Sequence, residues 1–394
     1  MIIDTLEISW HDRKPVMSVD FQVFSEWTRL ATGGADNEIR IWKTSVSEQG
    51  RSQVEFLASL ARHSGAVNVV RFSPCGEFLA SAGDDASIIL WKLGEGRSPT
   101  FGAQQEDEQK EHWVHHKMMR RGHREDVYDL SWARDSATLL SASIDNTAIL
   151  WDVSKGEPLK CFSDAQHYVQ GVSVDPLGDF LVTMSSDRCL RIFGAKSYKR
   201  MFEVSKQPQP ITSAPASPSA PASKPPKLFS EGTNTFFRRL AFSPDGALLV
   251  VPCGRYEGGN TTFIFARNNL SRPAAHLPGP QKSTIAVSFC PNLLQLRPQK
   301  RPASEDNQLQ AISLPYRMVF AVASLESVVL YDTQELTAIA AFSSMHYAPL
   351  TDISWSACGL FLAMSSTDGY CSVIRFEQGE LGEPYSEPPE QSVS

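Results

Sequence analysis

Short apolar stretches, each closed by turn residues, recur along the whole chain: VNVVRF runs into Ser73-Pro74, FLASAG into Asp84-Asp85, and SIILW closes on Trp91. Stretches this short, rich in β-branched residues and bounded by Ser-Pro, Cys-Gly or Asp-Asp, predict strands buried between neighbouring sheets. The same order of strands and turns returns with a fixed internal spacing. An acidic residue in a tight turn precedes an aromatic by six positions in Asp36/Trp42, Asp85/Trp91, Asp145/Trp151 and Asp187/Phe193, and Asp368 stands in the same relation to Ile374. The stretch from His123 to Asp152 is the clearest copy. A repeat has to be read before any single motif inside it.

Each copy amounts to one four-stranded sheet that cannot cover both of its faces alone, so copies stack radially and hide their edges in a ring. The predicted fold is all-β, a seven-bladed WD-repeat β-propeller. The 394 residues hold seven blades of roughly 40–45 residues once loops are discounted. They form one domain over residues 1–381. Blade four puts Phe193 where a Trp is commonest. Blade five has Gly259 in place of an acid six positions before Phe265, so its hydrogen-bonded brace is predicted to be missing. In blade six Glu326 lies five positions before Tyr331. Blade seven, from His346 to Glu377, supplies only three convincing strands. The segment Ile2 to Ser9 is predicted to become its missing outer strand, joining the chain ends and removing an exposed sheet edge.

Three insertions interrupt the spacing. Residues 94–111 fall between the third and fourth strands of blade two, 206–227 between blades four and five, and 297–310 between the first two strands of blade six. The second holds seven prolines and cannot repay its ordering entropy unless something binds it. By strand order it leaves from the face that carries the Asp turns, and the other two leave from the opposite face. Residues 382–394 read as an acidic, disordered tail, or as the point where a longer chain was cut.

The net charge of −7 argues against a direct, sequence-specific grip on nucleic acid, where a basic face is the usual footprint. It suits a basic partner. Seven cysteines, odd in number and with no Cys-x-x-Cys, read as small buried hydrophobes in a reducing compartment. MIIDTLEISW lacks the basic start and apolar run of a signal peptide, and no apolar stretch reaches the length of about 18 residues that spans a bilayer. The expectation is a soluble, intracellular protein with no membrane partner.

His123, Ser141, Asp145 and Trp151 imitate a nucleophilic triad. A triad occurs once, in a pocket, beside an oxyanion hole, whereas the same set returns as His63, Ser81, Asp85 and Trp91. Repetition predicts a structural brace inside each blade and no catalytic residue. Blade one keeps Thr32, Asp36 and Trp42 with His11 one position out of register. Blade four has Thr183 and Asp187 but Ala165 at the His position, and blade seven offers His346 and Asp368 without the Trp. His112, His115 and His116 lack a zinc-type partner set, and strand alternation sends the last two to opposite faces. GGADNE and AGDDAS are blade turns, not phosphate loops. No metal or cofactor is expected. Short basic runs, Arg120 with Arg121 and Arg238 with Arg239 after Phe236 and Phe237, are the candidate partner contacts. Glu106, Asp107, Glu108 and Glu111 form an acidic patch in a mobile loop, a candidate contact for basic tails.

Beyond this grammar, the strings WHDRKPVMSVDFQ, LARHSGAVNVVRFSP, GHREDVYDLSWA, FFRRLAFSPDG, SLPYRMVFAVAS and SSTDGYCS resemble one family closely, from Trp10 to about Leu381. It is the middle WD-repeat subunit of chromatin assembly factor one, a histone chaperone complex. The resemblance implies a nuclear, non-catalytic scaffold that joins the large and small subunits of that complex, through which core histones are deposited on replicated or repaired DNA. The propeller of the replication-independent histone regulator family shares the opening pattern. Animal members continue into a tail with a basic motif for the anti-silencing histone chaperone. No such motif precedes Ser394, so the resemblance carries that partner onto no residue here. A third class, the ubiquitin-ligase substrate receptor, carries Trp-Asp-x-Arg, whereas blade three reads Trp151, Asp152, Val153, Ser154.

Overall fold

The turn aspartates act first on their own backbone. Asp36, Asp85, Asp145, Asp187 and Asp368 each accept, through Oδ1, the N–H two residues ahead, at 2.9–3.2 Å. The residue between stands at positive φ: Asn37 at 70°, Ala86 at 58°, Asn146 and Arg188 at 68°, and Gly369 at 89°. For a non-glycine this conformation costs about 1–2 kcal/mol. The Asx-type bond offsets it and tightens the reversal into a hairpin.

The computed structural model describes residues 1–6, 8–23, 28–95, 109–119, 122–206, 226–230, 237–298 and 312–386. Among the described residues every regular element is a strand, and the strands form seven four-stranded antiparallel sheets. The first strand, β1 (Ile2–Thr5), stands apart from blade one. That blade holds β2 (Val16–Phe21), β3 (Thr28–Gly34), β4 (Glu38–Val46) and β5 (Ser52–Ala61). Blade two holds β6 (Val67–Phe72), β7 (Phe78–Gly83), β8 (Ile88–Leu93) and β9 (Trp113–Met118). Blade three holds β10 (Val127–Trp132), β11 (Thr138–Ser143), β12 (Ala148–Asp152) and β13 (Glu157–Phe162). Blade four follows with β14 (Val169–Val174), β15 (Phe180–Ser185), β16 (Leu190–Gly194) and β17 (Arg200–Val204). Blade five has β18 (Ala241–Phe242), β19 (Leu248–Tyr256), β20 (Gly259–Ala266) and β21 (Ala275–His276). Blade six has β22 (Thr284–Leu294), β23 (Arg317–Ser324), β24 (Ser327–Asp332) and β25 (Ala338–Ser343). Blade seven has β26 (Leu350–Trp355), β27 (Phe361–Ser366) and β28 (Cys371–Arg375).

Its fourth strand is β1, which pairs with β28, Ile2 opposite Arg375 and Thr5 opposite Ser372. The ring is thus a seven-bladed propeller closed by its own N-terminus, as expected. The core is a circle of sheet-on-sheet layers. Between blades seven and one, for example, Trp10, Val19 and Trp42 pack with Phe361, Ala363 and Val373. The innermost strands β2, β6, β10, β14, β22 and β26 each carry a register shift after their first residue or two. Bulges of this kind re-aim the following side chains.

Two expected boundaries move. Residues 382–386, expected in a disordered tail, are held against the end of β22: Gln295 N–H donates to Glu383 O at 2.9 Å and Tyr385 N–H to Leu293 O at 2.8 Å, around an isolated bridge between Leu294 and Pro384. Buried Arg317 also donates to Leu381 O. Glu111, read as part of a mobile acidic loop, is anchored instead: Arg29 Nη2 lies 2.7 Å from its carboxylate and the Trp113 indole donates to it at 3.0 Å. Glu106, Asp107 and Glu108 lie outside the described residues, as does most of each insertion. Lys206 and Lys227 pair as an isolated bridge at the base of the Pro-rich one. Four of the cysteines are buried and three exposed. Among the described residues no helix is long and apolar enough to cross a membrane.

Candidate functional site: turn braces, channel and faces

In blades two and three the four repeated side chains meet. His63 Nδ1 is 2.9 Å from Asp85 and its Nε2 is 2.7 Å from Ser81 Oγ, which also accepts the Trp91 indole N–H at 2.8 Å. The His123 set repeats this at 3.0, 2.6 and 2.8 Å, with Thr147 Oγ1 added on Asp145. Both imidazoles are buried. Burial alone would raise the two carboxyls. The histidine hydrogen bond and charge outweigh it and hold Asp85 and Asp145 below the ordinary carboxylate range. A serine oxygen shared between an imidazole and an indole has no open side for a substrate.

The variant blades reach the same end differently. His11, expected one position out of register, is three out, 25 residues before its aspartate where the others lie 22, yet it bonds Asp36 at 2.7 Å and Thr32 at 2.8 Å. Asp12 and Arg13, at φ 50° and 62°, turn the chain back, and Gly34 leaves space that a Cβ would fill against the imidazole. In blade four Arg191 replaces the missing histidine, Nη2 to Asp187 Oδ2 2.6 Å. In blade seven His346 bonds Asp368 at 3.0 Å, but Met364 occupies the serine position. Its Nε2 reaches Ser372 at 2.9 Å instead, and Ser372 bonds Thr5 at 2.7 Å. The last brace therefore runs into the closing strand. His115 packs near Trp91 and His116 near Phe78, so the histidine cluster diverges.

The channel holds a polar network that the repeat pattern does not announce. Inward side chains of one blade accept main-chain N–H groups of the next: Asp352 from Val19 at 3.2 Å, Ser18 from Val70 at 3.2 Å, Asp129 from Val172 at 3.0 Å. One layer further, Ser354 serves Phe21, Asp20 serves Phe72 and Ser131 serves Val174, at 2.7–3.1 Å. These bonds satisfy strand edges that face the channel. Two arginines complete it. Arg71 Nη1 and Nη2 bond the two oxygens of Asp352 at 2.8 and 3.2 Å. Arg239 bonds the same carboxylate at 2.9 Å and the carbonyl of Asn68 at 2.8 Å.

The chain has relatives among known proteins. The profile of the CAF1B/HIR1 beta-propeller domain matches residues 1–381. The chain belongs to the CAF1B/HIR1 propeller family. The CAF1B protein of Mus musculus, a subunit of chromatin assembly factor 1, is 48% identical over 405 residues, covering 100% of this chain and 70% of that protein. The chromatin assembly factor 1 subunit FAS2 homolog of Oryza sativa subsp. japonica is 41% identical over 97% of this chain and 74% of its own. Protein HIR1 of Eremothecium gossypii is 31% identical over 94% of this chain and 46% of its own length.

In this CAF1B/HIR1 propeller the expected partner contacts fall elsewhere than on an exposed patch. Phe237, Arg238 and Arg239 are 2%, 1% and 3% exposed. Arg238 donates to the carbonyls of Ser185 and Ser230 at 3.3 and 3.2 Å. The Arg239 guanidinium stacks 4.3 Å from the Phe237 ring and turns into the channel. The cause is their place just before β18, where the chain runs between blades: Arg238 N–H donates to Gln170 O of blade four, and Arg239 is bridged to Ala286 of blade six. Arg120, Arg121 and Phe236 lie outside the described residues. The missed residues, Ser18, Asp20, Asp129, Asp352 and Ser354, did leave a signal in MSVDF, YDLSW and TDISW, where polar residues alternate within otherwise apolar innermost strands.

Proposed function

We propose that this propeller is the non-catalytic scaffold subunit of a replication-coupled histone chaperone complex, acting in the nucleus and binding the complex's large subunit through propeller loops. The observation that carries it is full-chain identity of 48% to the CAF1B protein of Mus musculus, against 31% to Protein HIR1 of Eremothecium gossypii. The geometry supports a scaffold: the His/Ser/Asp sets are spent inside the blades, and a ring tied across its centre presents loops from a rigid frame. In this reading the large and small subunits of chromatin assembly factor one are direct partners, and core histones are held by the assembled complex.

The test is reconstitution with purified large and small subunits, followed by crosslinking mass spectrometry. Stoichiometric assembly with crosslinks to propeller loops is expected. Failure to bind the large subunit, with capture of histone-regulator subunits from nuclear extract, would move the chain to the other branch of its family; capture of cullin components would move it to the ubiquitin-ligase class.

A further inference from the structure

We infer that the channel mouth on the face opposite the Asp turns is a binding site for the side chain of an unmodified lysine, presented by a basic protein segment. This site does not depend on which complex the propeller joins. The mouth opens into a cavity of about 410 Å³. Its floor is built by Asp20, Arg71, Ser131, Ser173 and Ser354, each the last residue but one of an innermost strand, with Ser288 of β22 beside them. Trp132, Phe289 and Trp355 stand on its walls, and aromatic faces attract cations.

Charge decides the class of ligand. Three carboxylates, Asp20, Asp129 and Asp352, meet two guanidiniums, Arg71 and Arg239, so the channel keeps one negative charge. Both guanidiniums are committed to Asp352. Among the described residues no cation lies within ion-pair reach of Asp20, which holds the Phe72 N–H at 2.7 Å and the Ser354 hydroxyl at 2.9 Å and is part-exposed to the channel. Burial pushes its carboxyl up to about 6 despite Arg71 nearby. An incoming cation would restore the ionised form. A compact ammonium with three donors matches one carboxylate ringed by hydroxyls better than the planar fork of arginine, which asks for both oxygens of a carboxylate. A second observation concerns the peptide that carries the lysine. The Trp355 indole N–H, 6% exposed, has no acceptor among the described residues, whereas its counterpart Trp132 donates to Arg71 O at 3.0 Å. Trp355 lines the mouth, but its indole nitrogen is sealed from solvent, so a main-chain carbonyl of the entering segment reaches it only after the indole turns.

The experiment is fluorescence anisotropy on the full chain with a labelled peptide of alternating lysine and glycine, its fully acetylated twin and its arginine twin. Saturable binding of the lysine peptide is expected, weakened at least about tenfold by acetylation and by Asp20→Asn. The arginine twin should bind more weakly, and Asp12→Asn, at an exposed carboxylate, should change nothing. Affinity should fall between about pH 7.5 and about pH 5, as Asp20 takes up its proton. Ser288→Phe, which narrows the mouth and leaves Asp20 in place, should abolish binding and carries the test if the asparagine variant misfolds. The inference is overturned by absence of saturable binding, by equal binding of the acetylated or arginine twin, by unchanged affinity in a folded variant, or by tighter binding on acidification.

Discussion

Arg239 Nη1 of blade five lies 2.9 Å from Asp352 Oδ2 of blade seven, across the central channel, and Arg71 Nη1 of blade two lies 2.8 Å from the same oxygen. A single buried carboxylate therefore ties three blades together where they converge. Arg239 also reaches the carbonyls of Met17 and Asn68, so its removal strands partners in blades one and two as well.

Arg239→Met should destabilise the ring by about 3–5 kcal/mol, the range for removing one member of a buried ion pair. Urea unfolding measures it. A midpoint equal to the parent's would mean that the network is incidental to ring closure.

Asp145→Ala leaves His123, the Arg124 N–H and the Thr147 N–H without their acceptor. The expected loss is about 1–3 kcal/mol or more, seen as a lowered denaturant midpoint. In blade four, Asp187→Ala should cost at least as much, because it leaves the buried Arg191 guanidinium with only the more exposed carboxylate of Glu203, 3.4 Å away.

Deletion of residues 1–9 removes β1 and the Thr5 hydroxyl at the end of the His346 brace. The thermal midpoint should drop markedly, and Thr5→Val alone should lower it by less. Differential scanning calorimetry decides; an unchanged midpoint in the deletion would reject closure by the N-terminus.

Stability should respond to pH in two opposed ways. Asp36, Asp85, Asp145 and Asp368 are held below the ordinary range in the fold, so the folded state binds fewer protons and their contribution, full above about pH 4, is lost as acid protonates them. Asp20 runs the other way. Its carboxyl rises from 3.8 to about 6, so between those values the folded state keeps a proton that the unfolded chain releases, and stability falls as pH rises. Asp20→Asn should flatten that second slope and leave the acid limb intact. Isothermal denaturation across the pH range tests both; a slope that survives the substitution belongs to another group.

Most of the frame is readable along the chain because its determinants are local. The Asp-to-aromatic spacing marks hairpins whose geometry a single carboxylate imposes on the next two residues, as at Asp145 and Thr147. The His/Ser/Asp/Trp sets show themselves as internal by recurring. What escaped was non-local. Arg238 and Arg239 read as a surface pair until strand placement turned one toward Ser185 and the other into the channel. Glu111 read as a loop charge, although Arg29, far away in sequence, claims it.

By itself the sequence determined the fold class, the blade count and the closing strand, since alternation, turn chemistry and repeat length act within a few residues and are copied from blade to blade. Only the tertiary structure decided which charges meet at the axis. Seven innermost strands bring residues such as Asp20, Arg71, Asp129, Arg239 and Asp352 into one small volume, and no spacing along the chain encodes a distance measured across a ring.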